Sequence, residues 1–340
     1  MKIVIATDAW APQINGVVTT LGKMGEELTA LGNEVKYITP EGFKTFPCPS
    51  YPSIRLAILP NGKVASMLDE YKPDAIHIAT EGPLGHAARK YCLKNKLKFT
   101  TSYHTQFPEY VRLRAPIPTS WTYTFLRQFH KKAERTMVPT PTQKQRLVDA
   151  RFSDVVIWSR GVDTSLFFPR TKEFIEDPRP ISMYMGRVAV EKNIEAFLDL
   201  DLPGTKYVVG DGPDLEELKK KYPEAKFTGF KTGDELATYL AAADVFVFPS
   251  LTDTYGLVML EAMACGLPVA AFPVTGPIDV IVQGKTGVYD EDLKKATLQA
   301  LELKPEDCIE FAKQNSWRSS AETFLHHLEP NQNQDQAQAS

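Results

Sequence analysis

Residues 245–271 read VFVFPSLTDTYGLVMLEAMACGLPVAA, and the alternation of apolar and polar residues in this stretch decides the fold. It predicts, in order, a buried strand over 245–249, a polar loop over 250–255, a helix over 256–265 and a second strand over 269–271. Gly266 stands where a left-handed helix cap belongs, and Pro268 prevents the helix from continuing. A strand, a helix and a strand in this order predict a unit of a parallel sheet.

One acidic residue, Glu261, interrupts this otherwise apolar helix. A carboxylate in an apolar setting is costly unless it is bonded, so its presence calls for a partner. Leu257 and Glu261 lie four residues apart and share one helix face, which places Glu261 on the side of the first turn. Free N–H groups and the positive dipole end make that turn suitable for a phosphate. A hydroxyl-accepting carboxylate one turn beyond a phosphate predicts a site for a nucleotide sugar.

A second turn in the same half of the chain carries two cations. An apolar run at 181–185 predicts a strand, and it is followed by Gly186, Arg187, Lys192 and Asn193. Arg binds phosphate oxygens bidentately and Lys acts as a point charge, so this turn can hold a diphosphate.

Residues 245–271 resemble the donor-site signature of family 4 glycosyltransferases, the retaining GT-B enzymes, in which two acidic residues lie eight apart. These acids map onto Asp253, where most members carry Glu, and onto Glu261. The turn after 181–185 is similar to the family motif G-R-x-x-x-x-K-[GN]. The resemblance covers nearly the whole chain up to about Leu328. It implies an α/β GT-B fold, with two doubly wound Rossmann-like domains facing a cleft and a C-terminal helix crossing back to the first domain.

The resemblance also implies roles for single side chains. Arg187 and Lys192 would take the leaving charge together with the helix that starts near Gly256. Asp253 would hold the sugar and Glu261 the ribose, and the segment 229–231 is where relatives hold the nucleotide base. The predicted donor-binding residues are Gly16, Gly186, Arg187, Lys192, Gly229, Phe230, Lys231, Thr254, Tyr255, Gly256, Leu257, Val258 and Glu261, and the predicted catalytic residues are His104, Arg187, Lys192 and Asp253.

Gly16 joins a predicted strand over 2–7 to a predicted helix over 17–31. Either it makes a tight turn, or it lets backbone approach a phosphate at a helix N-terminus. In the family that this chain resembles, a glycine loop at the position of Gly16 packs against the donor phosphates. The chain has no G-x-G-x-x-G here, so a dinucleotide site is not predicted.

His104 follows a predicted strand over 99–103, at the strand end where open α/β sheets bind ligands. The segment resembles the H-T-x-F-P element of glycolipid-forming members of the family, whose histidine faces the donor sugar. Tyr103 and Gln106 are weaker candidates for acceptor contacts. Glu81 also follows a strand, and two roles stay open for it: a cap of the next helix, or a contact with the acceptor.

A length of 340 residues predicts two domains of similar size. Prolines and alternating charges place the linker at 170–180. The predicted domains are an acceptor-side Rossmann-like domain over 1–169, a nucleotide-sugar-binding Rossmann-like domain over 170–310, a crossover helix over 311–328 and a disordered polar tail over 329–340.

The remaining composition argues against several classes of protein. Four cysteines without metal-ligand spacing predict a reducing compartment and no structural zinc. Two D-x-D patterns, at 199–201 and 290–292, lie at a helix end and in an acidic turn, so we expect them to be structural and expect no metal or other cofactor. The chain starts without a signal peptide and has no apolar run of about 18 residues, which predicts a cytoplasmic protein.

Ten Lys and Arg residues lie between 90 and 135, interleaved with aromatic residues. Residues 1–170 carry 23 Lys and Arg against 14 Asp and Glu, although the whole chain has a net charge of −3. The segment 90–135 can be a solvated helix face, a docking surface for an anionic membrane, or a nucleic-acid surface. No nucleic-acid motif accompanies it. The membrane is favoured because the His104 segment resembles glycolipid-forming enzymes.

These features predict a retaining glycosyltransferase that moves a hexose from a UDP- or GDP-sugar to an acceptor alcohol. The favoured acceptor is a membrane lipid such as diacylglycerol. An enzyme with a soluble or polysaccharide acceptor is the first alternative. A nucleotide-sugar-binding protein without catalytic activity is the second, because Asp253 replaces the usual Glu.

Overall fold

The structure is a computed structural model, and it describes residues 1–13, 15–48, 51–104, 119–253 and 255–331. The chain forms two compact units. The first comprises Met1–Ser159 together with Arg318–Ser340, and the second comprises Arg160–Trp317.

The first unit is built on a parallel sheet. Its strands are β1 (Lys2–Ala6), β2 (Glu34–Ile38), β5 (Ala75–Ile78), β6 (Thr100–Ser102), β7 (Arg135–Val138) and β8 (Val155–Ile157), while β3 (Thr45–Cys48) and β4 (Tyr51–Ala57) form a separate antiparallel hairpin. Its helices are α1 (Gly16–Ala30), α2 (Asn61–Tyr71), α3 (Pro83–Asn95), α4 (Thr119–His130) and α5 (Pro141–Asp149). The sheet order is β2-β1-β5-β6-β7-β8, so the chain reverses its direction of winding between β1 and β5.

The second unit repeats the plan. Its strands are β9 (Ile181–Met185), β10 (Thr205–Val209), β11 (Lys226–Gly229), β12 (Val245–Phe248), β13 (Val269–Ala271) and β14 (Gly287–Tyr289), in the order β11-β10-β9-β12-β13-β14. Its helices are α6 (Glu195–Leu198), α7 (Leu215–Lys221), α8 (Gly233–Ala242), α9 (Leu257–Ala264), α10 (Pro277–Val280), α11 (Leu293–Ala300) and α12 (Pro305–Gln314). Here the winding reverses between β9 and β12.

Both faces of the second sheet are covered, which is why its strands are nearly all apolar. On β12, Phe246 and Phe248 belong to one core cluster, whereas Val245 and Val247 belong to the cluster on the opposite face. Removing one such side chain from water stabilises the fold by roughly 1.5–3 kcal/mol. The alternation within a continuous apolar run confirms the predicted doubly wound α/β class.

The last helix, α13 (Trp317–His327), lies almost wholly in the first unit. The Nε1–H of Trp158 donates to Oγ of Ser320 at 3.1 Å, and Ser320 donates to the carbonyl of Ser159 at 2.7 Å. The Phe324 ring packs 4.8 Å from the Trp158 ring and 4.9 Å from the His77 ring. These contacts fix the helix against Trp158 and His77 of the first unit.

One local prediction was wrong. The single helix predicted over 311–328 is two helices, because the chain between α12 and α13 pairs with Val162: Ser316 forms a parallel bridge to it, and Val162 donates to the carbonyl of Asn315 at 2.9 Å. In the β3–β4 hairpin the register shifts between Pro47 and Cys48, where proline has no N–H to donate.

The segment 274–289 contains a short helix and a short strand. The short helix α10 begins with Pro277 in its first turn, where the missing N–H costs nothing. Strand β14 pairs with β13, with Val288 opposite Ala270. Its sequence has only two apolar residues, Val288 and Tyr289, between polar neighbours, so the pairing with β13 is what identifies it as a strand.

Candidate active site

Two loops meet where the second sheet reverses its winding, the place at which open α/β sheets bind ligands. One follows β9 and contains a short 3₁₀ helix, Val190–Lys192; the other follows β12. Asn193 ends the 3₁₀ helix in a left-handed conformation, and its side-chain amide donates to the carbonyl of Pro249 at 3.1 Å. This bond ties the first loop to the start of the second.

Lys192 and Asp253 form an ion pair between these loops. The Nζ atom of Lys192 lies 2.7 Å from Oδ1 and 2.8 Å from Oδ2 of Asp253. Their side chains are only 22% and 18% exposed, so the contact is largely shielded from water. The structure thus brings together the cation predicted to hold a diphosphate and the acid predicted to hold a sugar.

The turn that carries Arg187 is held by its backbone. Tyr184 donates its hydroxyl hydrogen to the carbonyl of Arg187 at 2.8 Å, and Val188 donates to the carbonyl of Asp211 at 2.9 Å. A Cβ atom at Gly212 would lie 2.0 Å from the carbonyl oxygen of Val188, so only glycine allows the two turns to pack this closely. The Arg187 side chain itself is exposed. The backbone of this turn is therefore fixed, while the side chain of Arg187 is accessible from solvent.

Helix α9 begins directly after this site. Its N-cap residue, Gly256, has a φ angle of 80°, and among the described residues no side chain caps the first turn. Leu257 and Val258 are half-buried against the core, and the Tyr255 side chain is buried. The turn is thus packed on its inner side and keeps the polar helix end that suits an anion.

Glu261 lies one turn further along α9 and is partly buried. Within the described residues, we find no hydrogen bond or ion pair to its carboxyl group. Burial raises the pKa of Glu261 to about 7. A desolvated carboxyl group that has no partner among the described residues is available to a hydroxyl-bearing ligand.

The predicted base-binding segment lies at the same edge of the sheet, after β11 and two strands from β9. Gly229 ends the strand with a φ angle of 75°, and the Phe230 side chain is 50% exposed. Lys231 forms an ion pair with Glu235 at 2.5 Å, which raises the pKa of the lysine. An exposed aromatic ring beside a cation suits stacking on a nucleotide base.

In the first unit, the reversal between β1 and β5 is organised by Asp8, a residue that sequence reasoning missed. Its Oδ1 atom accepts from the backbone N–H of Leu84 at 3.0 Å, and its Oδ2 atom accepts from the hydroxyl of Thr80 at 2.9 Å. Asp8 thereby caps α3, whose own N-cap residue is Gly82. Burial raises the pKa of Asp8, despite the opposing effect of these donors. The sequence signal that could have identified Asp8 is an acidic residue that closely follows a buried strand.

Glu81 therefore does not cap α3, which removes one of the two roles left open by the sequence. Its Oε1 atom lies 3.2 Å from Nε2 of His130, a buried residue that sequence reasoning also missed. The other ring nitrogen of His130 lies 2.8 Å from Oγ1 of Thr101 on β6. Glu81 is thus held by a chain of polar contacts that begins inside the sheet.

His104 follows β6 and is 9% exposed. Its ring packs edge-on against Trp158, with centroids 5.8 Å apart. Tyr103 is completely buried, in a core cluster with Leu126 and Phe152. The suggestion that Tyr103 contacts an acceptor was therefore wrong, because its ring fills the core.

Gly16 is the first residue of α1. The side-chain oxygen of Asn15 accepts from the backbone N–H groups of Val17 at 3.0 Å and of Val18 at 3.1 Å. An anion at this turn would have to compete with the Asn15 cap.

Comparison with known proteins identifies the family. The family model described as Glycosyltransferase Family 4 matches residues 14–166, and the one described as Glycosyl transferases group 1 matches residues 179–303. A GDP-mannose-dependent alpha-mannosyltransferase of Mycolicibacterium smegmatis is 30% identical over 321 residues, which cover 85% of this chain and 84% of that protein. The chain belongs to glycosyltransferase family 4. It is a transferase of the branch that contains glycolipid-forming enzymes.

Other proteins similar to this family 4 glycosyltransferase support the same family assignment. Sulfoquinovosyl transferase SQD2 of Arabidopsis thaliana is 33% identical over 76% of this chain, a match that spans only 58% of that protein. An alpha-monoglucosyldiacylglycerol synthase of Streptococcus pneumoniae is 27% identical over 95% of this chain and 83% of that protein. The solved structure of Anabaena Alr3699/HepE in complex with UDP-glucose has a TM-score of 0.71 and 14% identity, covering 96% of this chain and 98% of that one. It shows the fold, the GT-B class.

Two parts of the predicted site of the glycosyltransferase, Thr254 and Gln106, lie outside the described residues, as do positions 105–118 of the basic segment and positions 332–340 of the tail. In the part of the chain that the structure describes, no helix combines the length and apolar character needed to cross a bilayer.

The two D-x-D patterns of the glycosyltransferase are engaged in local contacts. Asp199 accepts a hydrogen bond from the Tyr222 hydroxyl at 2.6 Å, and Asp201 pairs with Lys294 at 3.0 Å. Asp290 pairs with Lys295 at 2.5 Å, and Asp292 caps α11. These contacts fit the structural role predicted for both patterns.

Proposed function

We propose that this glycosyltransferase moves a hexose from a UDP- or GDP-sugar to an acceptor alcohol with retention of configuration, and that the acceptor is a membrane lipid such as diacylglycerol. The observation that carries the donor assignment is the contact between Lys192 and Asp253 where the winding of the second sheet reverses. This contact supports the proposal because the proposed cation for the diphosphate lies next to the proposed acid for the sugar hydroxyls. The first turn of α9, which no described side chain caps, follows directly.

In the proposed reaction, Arg187, Lys192 and the first turn of α9 stabilise the negative charge on the departing diphosphate. The acceptor oxygen bonds to the anomeric carbon while the bond to the diphosphate breaks, and the acceptor proton passes to the leaving phosphate oxygen. Attack and departure take place on the same face of the sugar, so no protein nucleophile is needed. Asp253 accepts hydrogen bonds from sugar hydroxyls, and Glu261 accepts hydrogen bonds from the ribose hydroxyls.

His104 stays a predicted sugar contact on the strength of the family resemblance. Its position directly after β6, at the carboxyl end of the first sheet, is compatible with that role. A positive test is loss of turnover in His104→Ala with an unchanged melting temperature.

The lipid acceptor is supported by the surface of α4. Trp121 is 73% exposed and Phe125 is 53% exposed, and the four-residue spacing puts both rings on one face of the helix. Lys131 and Lys132 are exposed just beyond its C-terminal end. Aromatic rings beside cations bind anionic bilayers, at about 1 kcal/mol per Lys or Arg. The similarity to a monoglucosyldiacylglycerol synthase points to the same acceptor class.

Thermal shift with UDP, GDP and ADP tests the donor site first, since a ligand that binds the folded state raises the melting temperature. A shift with UDP or GDP is expected, and no shift with any nucleotide would overturn the donor assignment. Transfer of radiolabelled hexose to diacylglycerol in anionic vesicles then tests the reaction. Transfer only to a water-soluble alcohol would favour the soluble-acceptor alternative, and binding without any transfer would favour a non-catalytic protein.

Vesicle flotation tests the docking surface separately. The double variant Trp121→Ser/Phe125→Ser should lose binding to vesicles that contain phosphatidylglycerol while keeping its nucleotide-induced thermal shift. Phe174→Ser is the matched control, because Phe174 is a comparably exposed aromatic residue in the second unit. Equal flotation of all three proteins would contradict the assignment of α4.

A further inference from the structure

The ion pair between Lys192 and Asp253 has a consequence for the order of binding and release. Both oxygens of the Asp253 carboxylate lie within 2.8 Å of the Lys192 ammonium group. The backbone on the lysine side is held in place: Lys192 ends a 3₁₀ helix, and the next residue, Asn193, is bonded to Pro249. The ion pair therefore joins the loop after β12 to a turn that is itself tied to the start of that loop.

A diphosphate on Lys192 and the Asp253 carboxylate are rivals for the same ammonium group. An ammonium group has three N–H donors, and Asp253 already engages both of its oxygens with them. A diphosphate that contacts Lys192 brings its anionic oxygens next to this carboxylate, in a position that is only about one-fifth exposed. Like charges at such short range repel each other, and poor solvation weakens the screening.

The donor and the product differ in whether they can offset this repulsion. The hexose of a nucleotide sugar offers hydroxyl groups that can donate to Asp253, which gives the carboxylate a new partner when it loses the ammonium group. A nucleoside diphosphate has no such hydroxyls, and its terminal phosphate carries additional negative charge once the sugar has left. The same carboxylate thus favours the complex that holds a sugar and disfavours the one that does not.

We propose that Asp253, in addition to holding the sugar, promotes release of the product nucleoside diphosphate by competing with it for Lys192. This inference rests on the proposed function and extends it from the binding of the donor to the end of the catalytic cycle. It assigns one residue two roles that alternate within each turnover. While the sugar is present, Asp253 accepts its hydroxyl groups; after transfer, it returns to the ammonium group and displaces the phosphate.

Isothermal titration calorimetry with UDP, GDP and the matching nucleotide sugars tests the proposal. Asp253→Asn keeps the size of the side chain and one acceptor oxygen, replaces the other oxygen with an NH2 donor, and removes the charge. We expect this variant to bind the product diphosphate on the order of tenfold more tightly than the wild type, and the nucleotide sugar no more tightly. Asp253→Glu should restore the wild-type ratio of the two affinities. In steady-state assays, Asp253→Asn should show stronger inhibition by the product.

Two controls separate competition for Lys192 from a general change of charge. Asp211→Asn removes a carboxylate from the neighbouring turn, where the side chain bonds only the N–H of Gly212 among the described contacts. In the background Lys192→Ala, the tightening caused by Asp253→Asn should disappear, since a double-mutant cycle isolates the coupling between the two residues.

Unchanged or weaker binding of the diphosphate to Asp253→Asn would overturn the inference and show that the carboxylate instead orients Lys192 for the phosphate. Equal tightening by Asp211→Asn would also overturn it, in favour of bulk charge. If neither the wild type nor any variant binds a nucleotide or a nucleotide sugar, the proposed function fails and this inference fails with it. The first two outcomes leave the proposed function standing.

Discussion

Replacing Glu261 with Gln should stabilise the protein at alkaline pH while weakening nucleotide binding. Burial raises the pKa of Glu261 from its ordinary value of 4.5 to about 7. Between these two values the folded state binds more protons than the unfolded state, so the free energy of unfolding falls as the pH rises through this window. Gln cannot ionise, and the variant avoids this loss.

The size of the effect follows from the two pKa values. One pKa unit corresponds to about 1.4 kcal/mol, so full ionisation of Glu261 lowers the free energy of unfolding by about 3 kcal/mol above pH 7. Below pH 4.5 the cost vanishes, and at pH 5 only a small part of it remains. For a unit the size of Arg160–Trp317, a change of this magnitude moves the melting temperature by about 6–12 °C.

Melting temperatures measured from pH 5 to pH 8.5 check the prediction. The difference between Glu261→Gln and the wild type should be largest at pH 8 and shrink towards pH 5. Glu217→Gln, at an exposed position on α7, is the matched control and should follow the wild type at every pH. If Glu261→Gln kept a constant offset from the wild type across the range, the reasoning from burial would be refuted. Weaker binding of UDP or GDP by the stabilised variant would show that the residue serves a ligand.

Three further substitutions have expected outcomes. Lys192→Ala should lower kcat by about 10²–10³-fold with an unchanged melting temperature, because it removes one charge-stabilising contact. Asp8→Ala should lower the free energy of unfolding by about 2 kcal/mol in urea titration, because it removes the cap of α3 and leaves buried donors unpaired. Gly85→Ala should lower it by about 1–3 kcal/mol, because the new Cβ atom would lie 1.9 Å from the carbonyl oxygen of Thr80.

Each of these has a control on the same chain. Lys219→Ala changes a lysine of α7 paired with Glu216 and should leave kcat unaltered; a similar loss there would contradict the role of Lys192. Asp149→Ala, at an exposed position, should change stability by less than about 0.5 kcal/mol. Gly62→Ala adds a Cβ atom with no neighbour within 4 Å, so equal losses for Gly62→Ala and Gly85→Ala would contradict the steric reasoning.

Elements with a long apolar run and a helix partner were predictable from the sequence. Strands β1, β9 and β12 begin at the predicted residues or within one of them, and Gly266 has the expected left-handed conformation, with a φ angle of 83°. Strand β14 was not predicted, whereas β13, which also has three residues, was, because Gly266 and Pro268 mark the end of the helix before it.

The same division applies to the candidate site. A motif with fixed spacing predicted Lys192, Asp253 and Glu261 as neighbours in function, and the contact between the first two agrees with it. Asp8 and His130 belong to no motif, and their partners lie 76 and 49 residues away along the chain. Such contacts between distant segments become visible only once the sheet order is known.

The position of α13 determines the order in which the two units can finish folding during synthesis. The second unit is one continuous segment, Arg160–Trp317, whereas the first unit needs Ser320 and Phe324 to cover Trp158. A ribosome completes the second unit before it supplies this last helix. The unit whose synthesis starts first is therefore the one that finishes folding last, and until then the Trp158 face stays open to other chains or to chaperones.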